Sequence, residues 1–337
     1  MDPLRHHGDR EATAGLLDFA VNVYDGPRPD WLERTLAAAD VGRYPDPTEA
    51  RAAVAEAHGR ATDEVLPTAG AAEAFGLIAR VRPWQHPVVV HPQFTEPDVA
   101  LTTAGHQVRH VVLDATAGFA LDATQVPEAA DLVVVGNPTN PTGVRHPAPT
   151  LRSLTRPGRL VVVDEAFLDD EAESLAGQAV PGLLVVRSLT KLWSIPGVRA
   201  GYLLGEADVV DDLARLQTPW SVSAAALAAL IACTAPEAKA EAGTRVQTIA
   251  EHRAVLEAGL TGLGVEHVAG STAPFVLARP GPAVHEALRA VGVAVRRADT
   301  FPGLDPSWVR IAVRNPDRTA VLLDALADVM TSTRPTD

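Results

Sequence analysis

Only two lysines occur among the 29 basic residues of this 337-residue chain, Lys191 and Lys239. An amine that must act as a nucleophile cannot be replaced by arginine, whose guanidinium stays protonated and forms no imine. Lys191 follows an apolar run in Val185-Val-Arg-Ser-Leu-Thr-Lys191. Ser188 and Thr190 offer hydroxyls beside it, and Arg199 lies eight residues on, so a phosphate could be gripped next to the amine. Lys239, flanked by Glu237 and Glu241, reads as a solvated lysine near a helix start. Asp164 ends the run Val161-Val-Val-Asp164. A carboxylate leaving a buried strand needs a partner, and a protonated ring nitrogen would serve. Asn137 ends another such run, before Pro138-Thr-Asn-Pro-Thr-Gly143. Gly70 precedes a predicted helix, whose free N–H groups suit a phosphate. Phe94, in His91-Pro-Gln-Phe94, fits either a core position or a platform for a stacked ring.

These residues need a frame. Val88–Val90, Val108–Leu113, Leu132–Val135, Leu160–Val163 and Leu183–Val186 read as strands too apolar for a half-exposed sheet. Separated by crossover-length segments, and with helices predicted at Glu49–His58 and Ala72–Val81, they imply an α/β fold with a mainly parallel sheet between helices. Ligands in such sheets bind beyond the carboxyl ends of the strands, which is where His91, Asn137, Asp164, Glu165 and Ser188 fall. After about residue 220 the pattern changes to helices at Ser223–Cys233, Ala240–Gly262, Ala283–Val291 and Asp317–Met330, with strands at Ala273–Ala278 and Val309–Val313. The expected division is an N-terminal segment over residues 1–30 that joins the small domain and covers the site, a large domain over 31–222, and a smaller α+β domain over 223–337. Residues 141–158, with four prolines, read as a loop.

The net charge of −13 disfavours binding to a phosphate backbone, and no apolar run is long enough to span a bilayer. Cys233 stands alone and cannot form an internal disulfide. With no secretory signal visible, the expectation is a cytoplasmic enzyme that binds neither nucleic acid nor membrane. No metal site is expected; the acidic run Asp169-Asp-Glu171 reads as a solvated loop. The Gly-rich fingerprints of nucleotide-binding α/β proteins are missing.

Taken in order, Asp18-Phe-Ala-Val-Asn22, Arg43-Tyr-Pro-Asp-Pro47, the Gly70 loop, Asn137-Pro-Thr-Asn-Pro-Thr-Gly143, Asp164-Glu-Ala-Phe167, Ser188-Leu-Thr-Lys191 and Arg310-Ile-Ala-Val-Arg314 resemble the fold-type-I pyridoxal-phosphate enzymes. The resemblance is to the branch containing histidinol-phosphate aminotransferase and the threonine-phosphate decarboxylase of cobalamin biosynthesis, and it runs over nearly the whole chain. It implies a large domain with a seven-stranded sheet, and pyridoxal 5′-phosphate (PLP) as cofactor. Lys191 would hold it as a Schiff base, Asp164 would keep the pyridine nitrogen protonated, Asn137 would bind the phenolic oxygen and Phe94 would stack on the ring. Gly70, Ala71, Ala72, Ser188, Thr190 and Arg199 would bind the 5′-phosphate. Tyr44 would reach the phosphate of a neighbouring subunit, which implies a homodimer with shared active sites.

The same resemblance makes Arg296 and Arg310 the holders of a small anionic amino-acid substrate, with His7 and Asn22 beside them. Arg297 and Arg314 are expected in surface salt bridges. Two departures stand out. Ala72 replaces the polar residue often found before the loop glutamate. Phe167 stands where aminotransferases of this branch usually carry a tyrosine, which resembles the decarboxylase side. The expected reaction is therefore decarboxylation of O-phospho-threonine, and the alternative is transamination of histidinol phosphate or another amino acid with 2-oxoglutarate.

Overall fold

The computed structural model describes residues 3–168 and 171–332, so Asp169 and Asp170 of the acidic run lie outside the described residues. In chain order the elements are β1 (Leu17–Phe19), α1 (Asp30–Ala37), α2 (Thr48–His58), β2 (Val65–Ala69), α3 (Ala71–Val81), β3 (Pro87–His91), α4 (Glu96–Thr103), β4 (Arg109–Val112), β5 (Leu132–Gly136), α5 (Ala148–Ser153), β6 (Leu160–Asp164), β7 (Leu183–Ser188) and β8 (Ala200–Leu204). There follow α6 (Ala207–Leu216), α7 (Ala224–Thr234), α8 (Pro236–Gly262), β9 (Glu266–His267), β10 (Phe275–Arg279), α9 (Val284–Ala290), β11 (Val293–Arg297), β12 (Val309–Ala312) and α10 (Pro316–Ser332).

Seven strands form one sheet in the order β2-β8-β7-β6-β5-β3-β4. Only β8 runs against its neighbours, pairing antiparallel with β2 and β7. Every residue of β3, β5 and β6 is buried, as unbroken apolar runs predict for a sheet covered on both faces. The period-2 pleat sends alternate residues of one strand to different layers. Val133, Val135, Val161 and Val163 join a core with α2 and α7, whereas Val134, Val162, Leu184 and Val186 join one with α3 and α6.

Five strands make the second sheet, ordered β1-β11-β12-β10-β9, with its own core against α8, α9 and α10. The N-terminal segment contributes one strand to it, Leu17–Phe19, parallel to β11. Helix α8 begins at Pro236 rather than Ala240, because proline lacks an N–H that the first turn would leave unpaired anyway. The proline-rich loop holds the short helix α5. Helix α7 carries the longest apolar run, packed against α1 and α2 and capped by Ser223, whose Oγ accepts from the Ala226 N–H at 3.1 Å. No helix among the described residues is long and apolar enough to cross a membrane.

One expectation is corrected here. Arg314 lies 3.7 Å from an Asp18 and 3.9 Å from an Asp25 carboxylate oxygen, but it is not at the surface, being only 4% exposed. Its guanidinium donates to the carbonyls of Asp18 at 2.9 Å, Val21 at 2.7 Å, Val23 at 3.2 Å and Val313 at 3.0 Å. Beyond Phe19 the N-terminal segment leaves the ladder, and the half-buried carbonyls of Val21 and Val23 take the arginine as their donor. Arg297 does lie in an exposed pair, with Asp299.

Candidate active site

The parallel register sets the carboxyl ends of three central strands side by side: Gly136 of β5 opposes Asp164 of β6, and Asp164 opposes Val186 of β7. A cavity of about 550 Å³ opens there, walled by Asp164 and Ser188 of the seven-stranded sheet, by Thr190, Lys191 and Arg199 of the connection between β7 and β8, and by Arg296 and Arg310 of the smaller sheet. Ala71, Ala72, Phe94, Phe167, His7 and Asn22 complete the predicted residues on its wall.

Lys191 follows β7 in a turn fixed by the Tyr24 N–H, which donates to its carbonyl at 3.0 Å. Burial, helped by the charges of Arg199 and Arg310, lowers the Lys191 pKa to about 8, with Asp164 opposing. Burial also raises Asp164 to about 6, against the Ala166 N–H and the Lys191 charge that favour its ionised form. Its Oδ1 accepts that Ala166 N–H at 3.0 Å. The adjacent Glu165 is structurally committed, accepting from Ser174 Oγ at 2.5 Å, the Leu175 N–H at 2.8 Å and Arg187 at 3.1 Å.

An anion cradle sits at the edge of this pair. Ser188 Oγ and Thr190 Oγ1 are 2.8 Å apart, and α3 begins at Ala71 immediately after Gly70, presenting its first N–H groups. Gly70 has φ +74°, and a Cβ there would lie 2.6 Å from Arg199 Nη2, so the guanidinium covers the turn. Gly201 of β8 backs the same turn; a Cβ on it would stand 2.8 Å from the Gly70 backbone and 3.0 Å from the Ala71 nitrogen. Backbone donors, two hydroxyls and a guanidinium suit a phosphate dianion.

The opposite wall is arginine-lined. Arg310 donates from Nη1 to Asn140 Oδ1 at 2.6 Å and from Nη2 to the Ala20 carbonyl at 2.6 Å. The Asn22 amide, oriented with its oxygen toward the guanidinium, accepts from Nη1 at 3.0 Å and Nε at 3.1 Å. Arg296, 2% exposed, donates to the His6 carbonyl at 2.5 Å and Thr300 Oγ1 at 2.7 Å. The segment that begins the described chain thus crosses the cavity mouth. His7 Nε2 lies 2.7 Å from Glu96 Oε1 and its ring 5.6 Å from that of Phe94.

Asn137 and Tyr44 stand apart from this wall. Asn137, 2% exposed at the end of β5, uses Oδ1 to accept the His146 N–H at 2.7 Å, which leaves its Nδ2 as the donor for a ligand. Tyr44 is 75% exposed and stacks on Trp220 at 4.4 Å, away from the cavity of its own chain. Asn140, Glu96 and Asp9 are among the wall residues that escaped sequence reasoning. Asn140 belongs to the motif that singled out Asn137, and the second Asn-Pro in that motif was its signal.

A lysine amine facing a buried carboxylate, with an anion cradle beside them, is matched by the comparisons with known proteins. Residues 14–327 match the family described as aminotransferase class I and II. The chain belongs to that family. A Mycobacterium bovis protein named histidinol-phosphate aminotransferase is 48% identical over 334 residues, covering 96% of this chain and 90% of its own. Threonine-phosphate decarboxylase of Salmonella typhimurium is 29% identical over 341 residues, with 96% and 93% covered. The crystal structure of histidinol-phosphate aminotransferase from Clostridium acetobutylicum superposes with a TM-score of 0.86 over 94% of this chain and 100% of that one; at 23% identity it speaks for the fold. The chain is thus a fold-type-I, PLP-dependent enzyme, and its donor set fits that cofactor.

Proposed function

We propose that this enzyme is an aminotransferase of the histidinol-phosphate type, acting on a small, phosphate-bearing amine with 2-oxoglutarate as acceptor. Decarboxylation of O-phospho-threonine, which the sequence motifs favour, is the second reading. The observation that carries the first is the 48% identity, over 96% of the chain, to a relative named for that activity, against 29% for the decarboxylase. The second is supported by Phe167, which presents a ring 5.8 Å from Lys191 Nζ and no hydroxyl.

When bound, PLP supplies an electrophilic carbonyl carbon and a ring that takes up the electron pair left at Cα. Ala71, Ala72, Ser188, Thr190 and Arg199 would hold its phosphate, Asp164 its ring nitrogen, Asn137 its phenolic oxygen and Phe94 its face. An Asp164 carboxylate that is costly to ionise alone is stabilised by a cationic N–H partner, which keeps that proton on the ring. Lys191, with a pKa near 8, holds a usable neutral fraction around neutral pH, so its amine can add to a carbonyl and later take a proton from Cα. Arg310, fixed by Asn140, Asn22 and Ala20, and Arg296 would orient the substrate's anionic groups, and the segment bearing His7 would exclude water above them. The exposed Tyr44–Trp220 stack suits a contact with a second subunit, and we assign the enzyme to a homodimer in the cytoplasm on that and on its composition.

The deciding assay incubates the enzyme with histidinol phosphate plus 2-oxoglutarate, and separately with O-phospho-threonine. Glutamate formation in the first supports the aminotransferase; carbon dioxide release in the second without glutamate formation in the first overturns it in favour of the decarboxylase.

A further inference from the structure

Outside the active-site cavity, three side chains from three elements converge on one point. His91 ends β3, Asp98 sits in the first turn of α4 and His110 lies in β4. Both imidazoles present Nε2 to the same carboxylate oxygen, Asp98 Oδ2, at 3.2 Å from His91 and 2.6 Å from His110. The three ligand-type atoms all lie within 4.8 Å of one another. His91 is fully buried and Asp98 2% exposed, whereas His110 is open to solvent and gives a path in. Nδ1 of His91 is buried with no hydrogen-bond partner, so Nε2 is the ring atom that carries the polar contact of this side chain.

From this convergence we propose that His91, Asp98 and His110 form a divalent transition-metal site of the zinc class, with water as the fourth ligand. Two imidazoles and one carboxylate are the donors that borderline cations such as Zn²⁺ select. Metal–ligand bonds of about 2.1 Å in a tetrahedron place ligand atoms about 3.4 Å apart. The His91–Asp98 spacing nearly meets that, and the exposed His110 ring must draw back by roughly 0.8 Å, which its position on the rim allows. The metal would tie the two ends of the 91–98 connection, which carries Phe94 and Glu96 on the cavity wall, so its role is to fix that wall rather than to react.

The test uses tag-free holoenzyme, reduced with borohydride so that the cofactor pocket cannot chelate, dialysed against EDTA and titrated with Co²⁺ and with Zn²⁺. The expected result is one Co²⁺ per chain with the intense visible absorption of a tetrahedral site, displaced by Zn²⁺ and accompanied by a higher Tm. In His110→Ala, Zn²⁺ affinity falls tenfold or more, since even partners one shell further out cost about 10- to 100-fold. His86→Ala, an exposed histidine elsewhere, binds as wild type. Absence of the Co²⁺ band in the wild type, or equal affinity in His110→Ala, overturns the site. Asp98→Asn must lose the band too if it folds; His110→Ala decides the matter, with thermal unfolding of the metal-free variant checking that it is folded.

Discussion

Replacing Gly201 by alanine tests whether β8 shapes the cofactor cradle. The new methyl carbon would stand 2.8 Å from both Cα and C of Gly70 and 3.0 Å from the Ala71 nitrogen. All three are backbone atoms, so no flexible side chain can swing away. Ordinary carbon contacts lie at about 3.5 Å or more, so the turn must retreat by about 0.7 Å. Overpacking of this kind costs about 1–3 kcal/mol. Because β8 is held by β7 on its other side while the Gly70 turn faces the cavity, the turn is the part that yields. If the strain falls there, PLP affinity drops by roughly fivefold to 150-fold, at about 1.4 kcal/mol per tenfold. The assay is fluorescence titration of apoenzyme with PLP, alongside thermal unfolding of the apoenzyme. Gly76→Ala serves as control, since a Cβ there meets nothing within 4 Å and should stabilise α3 by up to about 1 kcal/mol. Unchanged PLP affinity in Gly201→Ala, with a lowered apoenzyme Tm, would refute the reasoning by showing that the sheet absorbs the strain.

Three further outcomes are expected. Lys191 loses its proton near pH 8 instead of its ordinary 10.5, so covalent attachment of PLP to apoenzyme should accelerate as pH rises and level off above about 8; a flat profile across that range contradicts the assignment, as does borohydride labelling that survives Lys191→Ala. Arg310→Ala should raise KM for the anionic substrate by about tenfold or more while leaving PLP affinity within about twofold, and equal losses of both would speak against its role. Arg314→Ala removes a buried guanidinium from several half-buried carbonyls and should cost on the order of 3 kcal/mol by denaturant unfolding, whereas Arg297→Ala, in an exposed pair, should change stability by less than about 1 kcal/mol.

Lys191, Asp164 and Ser188 were legible because a polar residue that ends an apolar parallel strand has one place to go, the carboxyl edge of the sheet. Phe94, Arg296 and Arg310 were placed by resemblance, and the cavity gathers them. Arg314 was misread as exposed because most of its partners belong to the N-terminal segment some 290 positions earlier, and no local pattern announces such a need. His91 was legible as the end of a strand, but its grouping with Asp98 and His110 escaped for a related reason: they stand on strand, helix and strand, 7 and then 12 residues apart, and only the parallel pairing of β3 with β4 brings the histidines together. Which bond at Cα breaks was not legible in the motifs, since that choice depends on how the substrate is turned rather than on which residues surround it.

The parallel pairing of Leu17 with Val293 has a consequence for how the protein is made. Strand β1 must wait, through synthesis of well over two hundred residues, before its partner leaves the ribosome, and closing so long a loop is slow even though its entropy grows only logarithmically with length. Until then its apolar face and the unpaired carbonyls claimed by Arg314 have no home. The arginine wall of the catalytic cavity is thus assembled last, and a chaperone that shields the nascent N-terminus should raise the yield of active enzyme more than the yield of a folded seven-stranded sheet.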